Sequence, residues 1–312
     1  MLLKDISYYK TGGTADNIFA PADIDELSRE LKAIRENNVP CFILGAGSNS
    51  LVMDDHWPGT VLLCNNLNDI EVNKEIVRVQ AGVENTQFVE ACLNNELEGA
   101  SWMNYLPGQI GSTVRMNARC YGGEISQIVE SVTAVNKSGK VKTYRGSGVF
   151  HGYKDTVFME NGNIVAEVTF KLSKGNPGDI QNHMDFCRSD RESKHQFMYP
   201  SCGCVFKNDY TVGIPSGMLL EDAGVRQLSN ESVEISPYHA NFVFNKGAAA
   251  RDILSISLDM RDLVYEKFGV WLEFEMELLG MVPEDLKRRA SEIKAQKFSQ
   301  KELEPLRQKF QG

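Results

Sequence analysis

The chain has no apolar run approaching the roughly 20 residues that cross a bilayer. Its first ten residues carry Lys4, Asp5 and Lys10 where a secretory leader would need an apolar core. These absences point to a cytoplasmic protein with no membrane partner. The seven cysteines, at positions 41, 64, 92, 120, 187, 202 and 204, are odd in number and form no Cys-x-x-Cys pair. That pattern fits neither a disulfide framework nor a zinc site, so the thiols are expected to be reduced and no metal is expected. With 33 Lys and Arg against 42 Asp and Glu, the net charge of −9 supplies no basic surface for nucleic acid. Any anionic ligand must therefore meet local cations.

What is present begins with Leu44-Gly-Ala-Gly-Ser-Asn-Ser-Leu-Val52, where the apolar run from Cys41 feeds into a turn of small residues. Gly45 and Gly47 can take positive φ or let a pyrophosphate approach, and Ser48, Asn49 and Ser50 add side-chain donors. The spacing is not the Rossmann fingerprint, because no third glycine opens a helix; Leu51 and Val52 read instead as another strand. A second glycine-rich stretch, Leu106 to Gly122, has little periodicity and reads as an extended loop system.

Around these turns, Asp23 with Glu26 forms a capping-box pattern, and Ile24, Leu27, Leu31 and Ile34 recur at helical spacing before Pro40. Thr60 to Leu63, Ile76 to Val79, Ile128 to Asn136, Val141 to Tyr144 and Ile164 to Leu172 read as strands, with a helix from Thr86 to Asn94. Ser173 to Asp179, with Gly175, Pro177 and Gly178, reads as a domain boundary. Beyond it the pattern gives a helix around Asp185 to Lys194 and another near Met218 to Ala223. A long amphipathic helix then carries Ile253, Ile256, Met260, Leu263 and Val264 on one face, and a strand follows from Val270 to Leu278. Pro283 to Gly312 is rich in charge with a thin stripe of Leu286, Ala290 and Ile293, and reads as a helical tail. The mixed pattern predicts an α+β chain.

Several segments then agree in order. They are Leu44–Val52, Pro107–Gly122, Gly152-Tyr-Lys-Asp-Thr-Val-Phe158, Arg191-Glu-Ser-Lys194 with Pro200-Ser-Cys-Gly-Cys-Val-Phe-Lys-Asn208, His239-Ala-Asn-Phe242 and Leu272-Glu-Phe-Glu275. Together, over about residues 8 to 280, they resemble the UDP-N-acetylenolpyruvoylglucosamine reductase family, flavoenzymes of peptidoglycan synthesis, in its shorter type. The resemblance implies an FAD-binding domain of the vanillyl-alcohol-oxidase (PCMH) type over 1–176, in two parts of about 1–55 and 56–176. A smaller α+β C-terminal substrate domain over 177–280 and the charged tail 281–312 would follow. It implies FAD as cofactor, NADPH as reductant, and the enolpyruvyl nucleotide sugar as a small-molecule substrate, handled by a monomer.

By the same resemblance, flavin would be held by Gly45, Ala46, Gly47, Ser48, Asn49 and Ser50, by Pro107, Gly108, Gly111 and Ser112, and by Asn117 and Tyr121. Lys194, Asn208 and Tyr153 would bind substrate. Cys204 matches the position from which the family delivers a proton after hydride addition. A thiol suits the task, being mostly protonated near neutrality yet a far better acid than an alcohol. Glu275 matches the family's catalytic glutamate, and Lys154 stands where the family has arginine, facing charge that develops in the substrate carboxylate. Cys202 and His239 read as structural.

The chain departs from the family pattern at four places: Lys154 for arginine, Arg119 for a glycine, Phe274 for a proline, and Glu231-Ser232 for a Gly-Gly pair. Arg tolerates positive φ poorly, which puts the turn at 119 in question. A decayed flavin or nucleotide-sugar binding protein, or a flavin oxidoreductase with another substrate, are the alternative readings. Lysine keeps the charge but not the two-pronged carboxylate contact. Lys154→Arg is therefore expected to preserve or raise the turnover rate and Lys154→Ala to lower it; unchanged turnover in the alanine variant would remove Lys154 from this role.

Overall fold

Residues 1–311 are described by a computed structural model, in which the chain divides into two compact units. One comprises Met1–Thr14, Gly47–Trp57 and Lys194–Gly312, the other Ala15–Ala46 and Pro58–Ser193. The boundary crosses the first glycine turn between Ala46 and Gly47.

In the unit built from 15–46 and 58–193, the helix Ile24–Glu36 starts where the sequence pattern puts it. The Asp23 carboxylate accepts from the Glu26 amide at 2.7 Å, and the Glu26 carboxylate accepts from the Ala22 amide at 2.6 Å. Leu27, Leu31 and Ile34 are buried with Leu62, Val135 and Ile164. The strand Trp57–Leu63 lies between Ala15–Phe19 and Cys41–Leu44, parallel to the latter. A five-stranded antiparallel sheet follows the order Val141–Arg145, Val129–Val135, Ile164–Lys171, Ile76–Gln80, Ile70–Asn73. Alternating residues of these strands, among them Val77, Val79, Val132, Val168 and Phe170, make its core with Phe88 and Val89 of the helix Asn85–Asn94.

Two elements differ from the sequence expectation. The loop system 106–122 contains the helix Ile110–Arg115 and a short ladder of Arg119–Cys120 on Gly123–Glu124. The helix is only six residues long, too short for periodicity to register, yet Ile110, Thr113 and Val114 share its buried face. The segment read as a boundary starts the helix Pro177–Ser193 instead. Asn176 accepts from the Gly178 amide at 2.8 Å, and Pro177 stands at a first-turn position, where its missing N–H is harmless.

In the other unit, the helix Ala250–Phe268 buries Ile253, Ile256, Met260 and Val264 as its pattern requires, leaves Leu263 half-buried, and stops at Gly269 with φ +67°. The strand expected over 270–278 shrinks to Glu277–Leu279, which pairs in parallel with Ser50–Val52. The tail is not merely a solvated helix. It forms the helices Glu284–Ala290 and Gln300–Gln311, and Leu286, Leu303 and Leu306 enter the unit's main core. Ile293, read as part of the apolar stripe, is 89% exposed. Among the described residues no helix is long and apolar enough to cross a membrane.

Leu303 is fully buried, so Leu303→Ala is expected to destabilise by about 2–5 kcal/mol. Ile293→Ala should stay within about 0.5 kcal/mol of the parent. Urea unfolding midpoints of the two variants check this contrast.

Candidate functional site

The residues expected to carry chemistry fall into two groups, one in each unit. In the unit that contains residues 194–311, backbone and amide contacts hold the segment after Pro200. The Val205 carbonyl accepts from the Glu275 amide at 2.8 Å and the Met276 amide at 3.2 Å, and Lys207 N–H donates to Glu273 O at 2.9 Å. Asn241 clamps the other side: its side-chain oxygen accepts from Phe206 N–H at 2.9 Å, and its NH2 donates to Phe206 O at 2.8 Å. The Phe206 and Phe274 rings stack at 5.0 Å, so Phe274 earns its place by packing where the family pattern has proline. Cys204 and Glu275, both half-buried, are thus fixed on neighbouring strands of backbone.

Cys202 is different from Cys204. It is buried beside Tyr9, and burial, then the proximity of Cys204 and Glu275, pushes its thiol far above the ordinary range. Tyr9 in turn donates to Val243 O at 2.7 Å. That environment makes Cys202 an inert packing thiol.

The glycine turn enters this unit at Gly47, whose φ is +69°. A Cβ there would fall 3.0 Å from Ser7 Oγ and 3.1 Å from Tyr8 N. Only glycine satisfies both demands. Asn49 does not leave its amide for a ligand alone, because its NH2 donates to Glu275 O at 2.9 Å. The same residue's carbonyl accepts from Glu277 N–H at 2.9 Å. The turn, Ser50 and Glu275 are therefore one assembly.

A cavity of about 320 Å3 in this unit is lined by Cys204, Asn208, Tyr238 and His239. Asn208 is oriented by the Ser216 amide, which donates to its side-chain oxygen at 2.9 Å. His239 accepts from Asn241 N–H at 3.3 Å. Burial first, and then the charge of Lys194, hold its imidazole pKa below the ordinary value, which places Lys194 within electrostatic reach of the cavity wall. His195 and Tyr238 face each other with ring centroids 4.1 Å apart.

In the unit built from 15–46 and 58–193, Tyr153 and Lys154 are the two turn residues of the hairpin that pairs Phe150–Gly152 with Asp155–Thr156. Lys154 takes φ +53°. The hairpin is tied to the second glycine loop by Asn117, whose NH2 donates to Gly152 O at 2.8 Å and to the Glu124 carboxylate at 2.6 Å. Thr156 donates to the Arg115 carbonyl. Arg119 lies over the Tyr153 ring at 4.2 Å. The doubt over this turn is resolved, since Arg119 is extended and the positive φ values fall on Asn117, Tyr121 and Gly122.

Asn117 supplies a test of whether a flavin fits. Its two acceptors fix the amide orientation, and its side-chain oxygen is then buried with no partner. A buried oxygen of this kind calls for an N–H donor, which a flavin imide carries. Other residues of the two glycine loops make close internal contacts. Gly111 N–H donates to Ala81 O at 2.8 Å, and a Cβ on Gly111 would meet Ala81 Cβ at 2.8 Å. Gly45 packs against Gln109, and Ser112 donates to Gln109 O at 2.8 Å. Gly108, at φ +130°, gives its carbonyl to Asn85 N–H. Ala46 and Ser48 flank Gly47 in the first turn, and Pro107 precedes Gly108 in the second.

Tyr121 donates to Asp190 at 2.7 Å, and burial raises its phenol pKa. Sequence reasoning missed Arg191, buried on the helix Pro177–Ser193. Its guanidinium reaches Cys120 Sγ at 3.2 Å and covers Tyr121 at 4.9 Å, while its Nε is buried without a partner. Burial raises the Cys120 thiol pKa, but the Arg191 and Lys154 charges pull it down, so the Lys154 charge is felt at this loop. The Arg-Glu-Ser-Lys motif contained the signal for Arg191, read there only through Lys194.

Comparison with known proteins bears on both units. Residues 15–145 match the FAD binding domain family, and residues 194–279 match the C-terminal domain of UDP-N-acetylenolpyruvoylglucosamine reductase. The chain is 34% identical over 281 residues to the reductase of that name from Clostridium novyi (strain NT), covering 90% of this chain and 91% of the relative. Its counterpart from Streptococcus pneumoniae (strain Hungary19A-6) is 34% identical over 279 residues, covering 89% and 92%. Among solved structures, UDP-N-acetylenolpyruvylglucosamine reductase from Thermus caldophilus superposes with a TM-score of 0.75 at 29% identity, over 89% of this chain and 97% of that one.

The lowered pKa of His239 has a pH consequence. The unfolded chain takes up a proton near pH ~6.5, before the folded one does. His239 therefore favours the folded state above that pH, and its contribution is lost as pH falls from about 6.5 toward the lower folded value. His239→Gln is expected to lose less stability than the parent between roughly pH 7.5 and 5.5. Equal losses in denaturant titrations at the two pH values would contradict it.

Proposed function

The chain belongs to the UDP-N-acetylenolpyruvoylglucosamine reductase family, and on that premise we propose that it reduces the enolpyruvyl group of UDP-N-acetylglucosamine enolpyruvate to the lactyl ether of UDP-N-acetylmuramate, a step of peptidoglycan precursor synthesis. It would act in the cytoplasm, as a monomer, with NADPH as reductant. The observation that carries the reading is the fixing of Cys204 beside Glu275, with Cys204 and Asn208 in the wall of one cavity. Both lie in the stretch matched by the family's own C-terminal domain.

A bound FAD would supply the hydride chemistry that links NADPH to the methylene carbon of the substrate. The residues that would hold FAD are the turn from Gly45 to Ser50 and the loop bearing Asn117 and Tyr121. Asn117 offers its unpartnered oxygen to an imide N–H. The chain's remaining work is to manage charge and one proton. Electron density released onto the carbon next to the carboxylate would be stabilised by the Lys154 ammonium, and Glu275 would supply a polar group to the substrate. The Cys204 thiol then delivers its proton to that carbon. Lys194 and Asn208 hold the diphosphate, and Tyr153 borders the substrate. Cys202 donates nothing, because burial keeps it protonated.

Cys204→Ala tests this division of labour. Under anaerobic conditions NADPH should bleach its flavin at the parent's rate, while lactyl ether formation falls by about 10²-fold or more. Product formation at the parent's rate would remove Cys204 from proton delivery. A flavin that bleaches in both proteins, with no product in either, would favour a different acceptor.

A further inference from the structure

The helix Gln300–Gln311 lies outside the stretch matched by the family's C-terminal domain, which ends at residue 279. It is nonetheless fixed in place. Leu303 is fully buried, Leu306 is 5% exposed, and the Arg307 guanidinium donates to Val212 O at 3.2 and 3.3 Å. Leu306 and Lys309 are three residues apart, hence neighbours on one helix face. Both line the cavity that holds Cys204, Asn208 and His239. The helix thus forms part of the wall of the site.

Charge decides what that wall can do. The cavity's two acidic residues are already neutralised, Glu221 by Arg226 at 2.5 Å and Asp222 by Lys267 at 2.6 Å. Lys309 forms no ion pair among the described residues. Lys194 adds its charge at His239, on the same cavity. With Glu221 and Asp222 counted together with their basic partners, the Lys309 ammonium is the uncompensated charge of the lining, next to an oriented amide, Asn208, and the aromatic Tyr238. This suits an anion joined to an apolar, hydrogen-bonding body.

We propose that Lys309 is a substrate-binding residue, its ammonium meeting the diphosphate of the nucleotide sugar together with Lys194 and Asn208. The proposal rests on the reductase reading for the identity of the ligand. A lysine on a packed helix reaches a phosphate as a flexible point charge, without the directional demand of arginine. The tail would in this way set affinity for the nucleotide part of the substrate, remote from the proton donor.

Isothermal titration of the flavin-loaded protein with UDP tests it. Lys309→Ala is expected to weaken UDP binding about fivefold, as befits a largely exposed charge, and Lys309→Glu to weaken it further. The parent's affinity should fall more steeply with added salt than that of Lys309→Ala. Lys301→Ala, on the same helix but outside the cavity lining, should bind UDP as the parent does. If Lys309→Ala binds UDP as tightly as the parent, this proposal is overturned and the reductase reading stands. If the parent itself binds no UDP, the nucleotide-sugar reading falls and takes the proposal with it.

Discussion

The carbonyl of Val205, accepting from both Glu275 and Met276, is the contact on which the rest of the C-terminal unit depends. It joins a segment near residue 204 to one some 70 residues later, and it does so through backbone, where geometry is least negotiable. Asn241 completes the arrangement by bonding both polar groups of Phe206. From that frame follow the neighbouring positions of Cys204 and Glu275. The tie from Asn49 to the Glu275 carbonyl follows too, and brings in the first glycine turn. Such buried amide networks hold only when every member is satisfied, and this one is.

The other unit uses the same device with different residues. Asn117 takes a left-handed backbone conformation and spends both amide hydrogens on Gly152 and Glu124, locking the Tyr153–Lys154 turn onto the second glycine loop. Lys154 itself sits at φ +53°, a conformation that non-glycine residues adopt only when their surroundings hold them there. The guanidinium of Arg119, which replaces a glycine, lies over Tyr153, and the turn carries no strain at 119.

Much of this was legible in the sequence where one physical rule acted alone. The helix Ile24–Glu36 was readable because its capping pattern and its apolar spacing agree, and the sheet strands because they alternate. The sequence pattern and the structure part where two rules compete. Gly175, Pro177 and Gly178 are breakers in isolation, yet with Asn176 as cap they begin a helix. Residues 270–276 have a strand's composition, but their partners are single bridges to 205–207, so a ladder never forms. In the tail, Ile293 drew attention by hydrophobicity and lies in water, while Leu303 and Leu306, hidden among charged neighbours, are in the core. The positions of the two glycine turns were readable. The reasons for individual glycines were not, since Gly111 answers to Ala81 and Gly47 to Ser7 and Tyr8.

The Cys-Gly-Cys sequence shows how one motif can hold two fates. Burial silences Cys202, whereas Cys204, two residues on, opens onto the cavity. This cavity wall, together with a bound flavin, is the proposed agent of enolpyruvyl reduction. The most direct test mixes NADPH-reduced parent protein, freed of nicotinamide, with UDP-N-acetylglucosamine enolpyruvate under anaerobic conditions. Flavin reoxidation with one lactyl ether formed per flavin is the expected result. A flavin that stays bleached with this substrate and is reoxidised only by oxygen would contradict it.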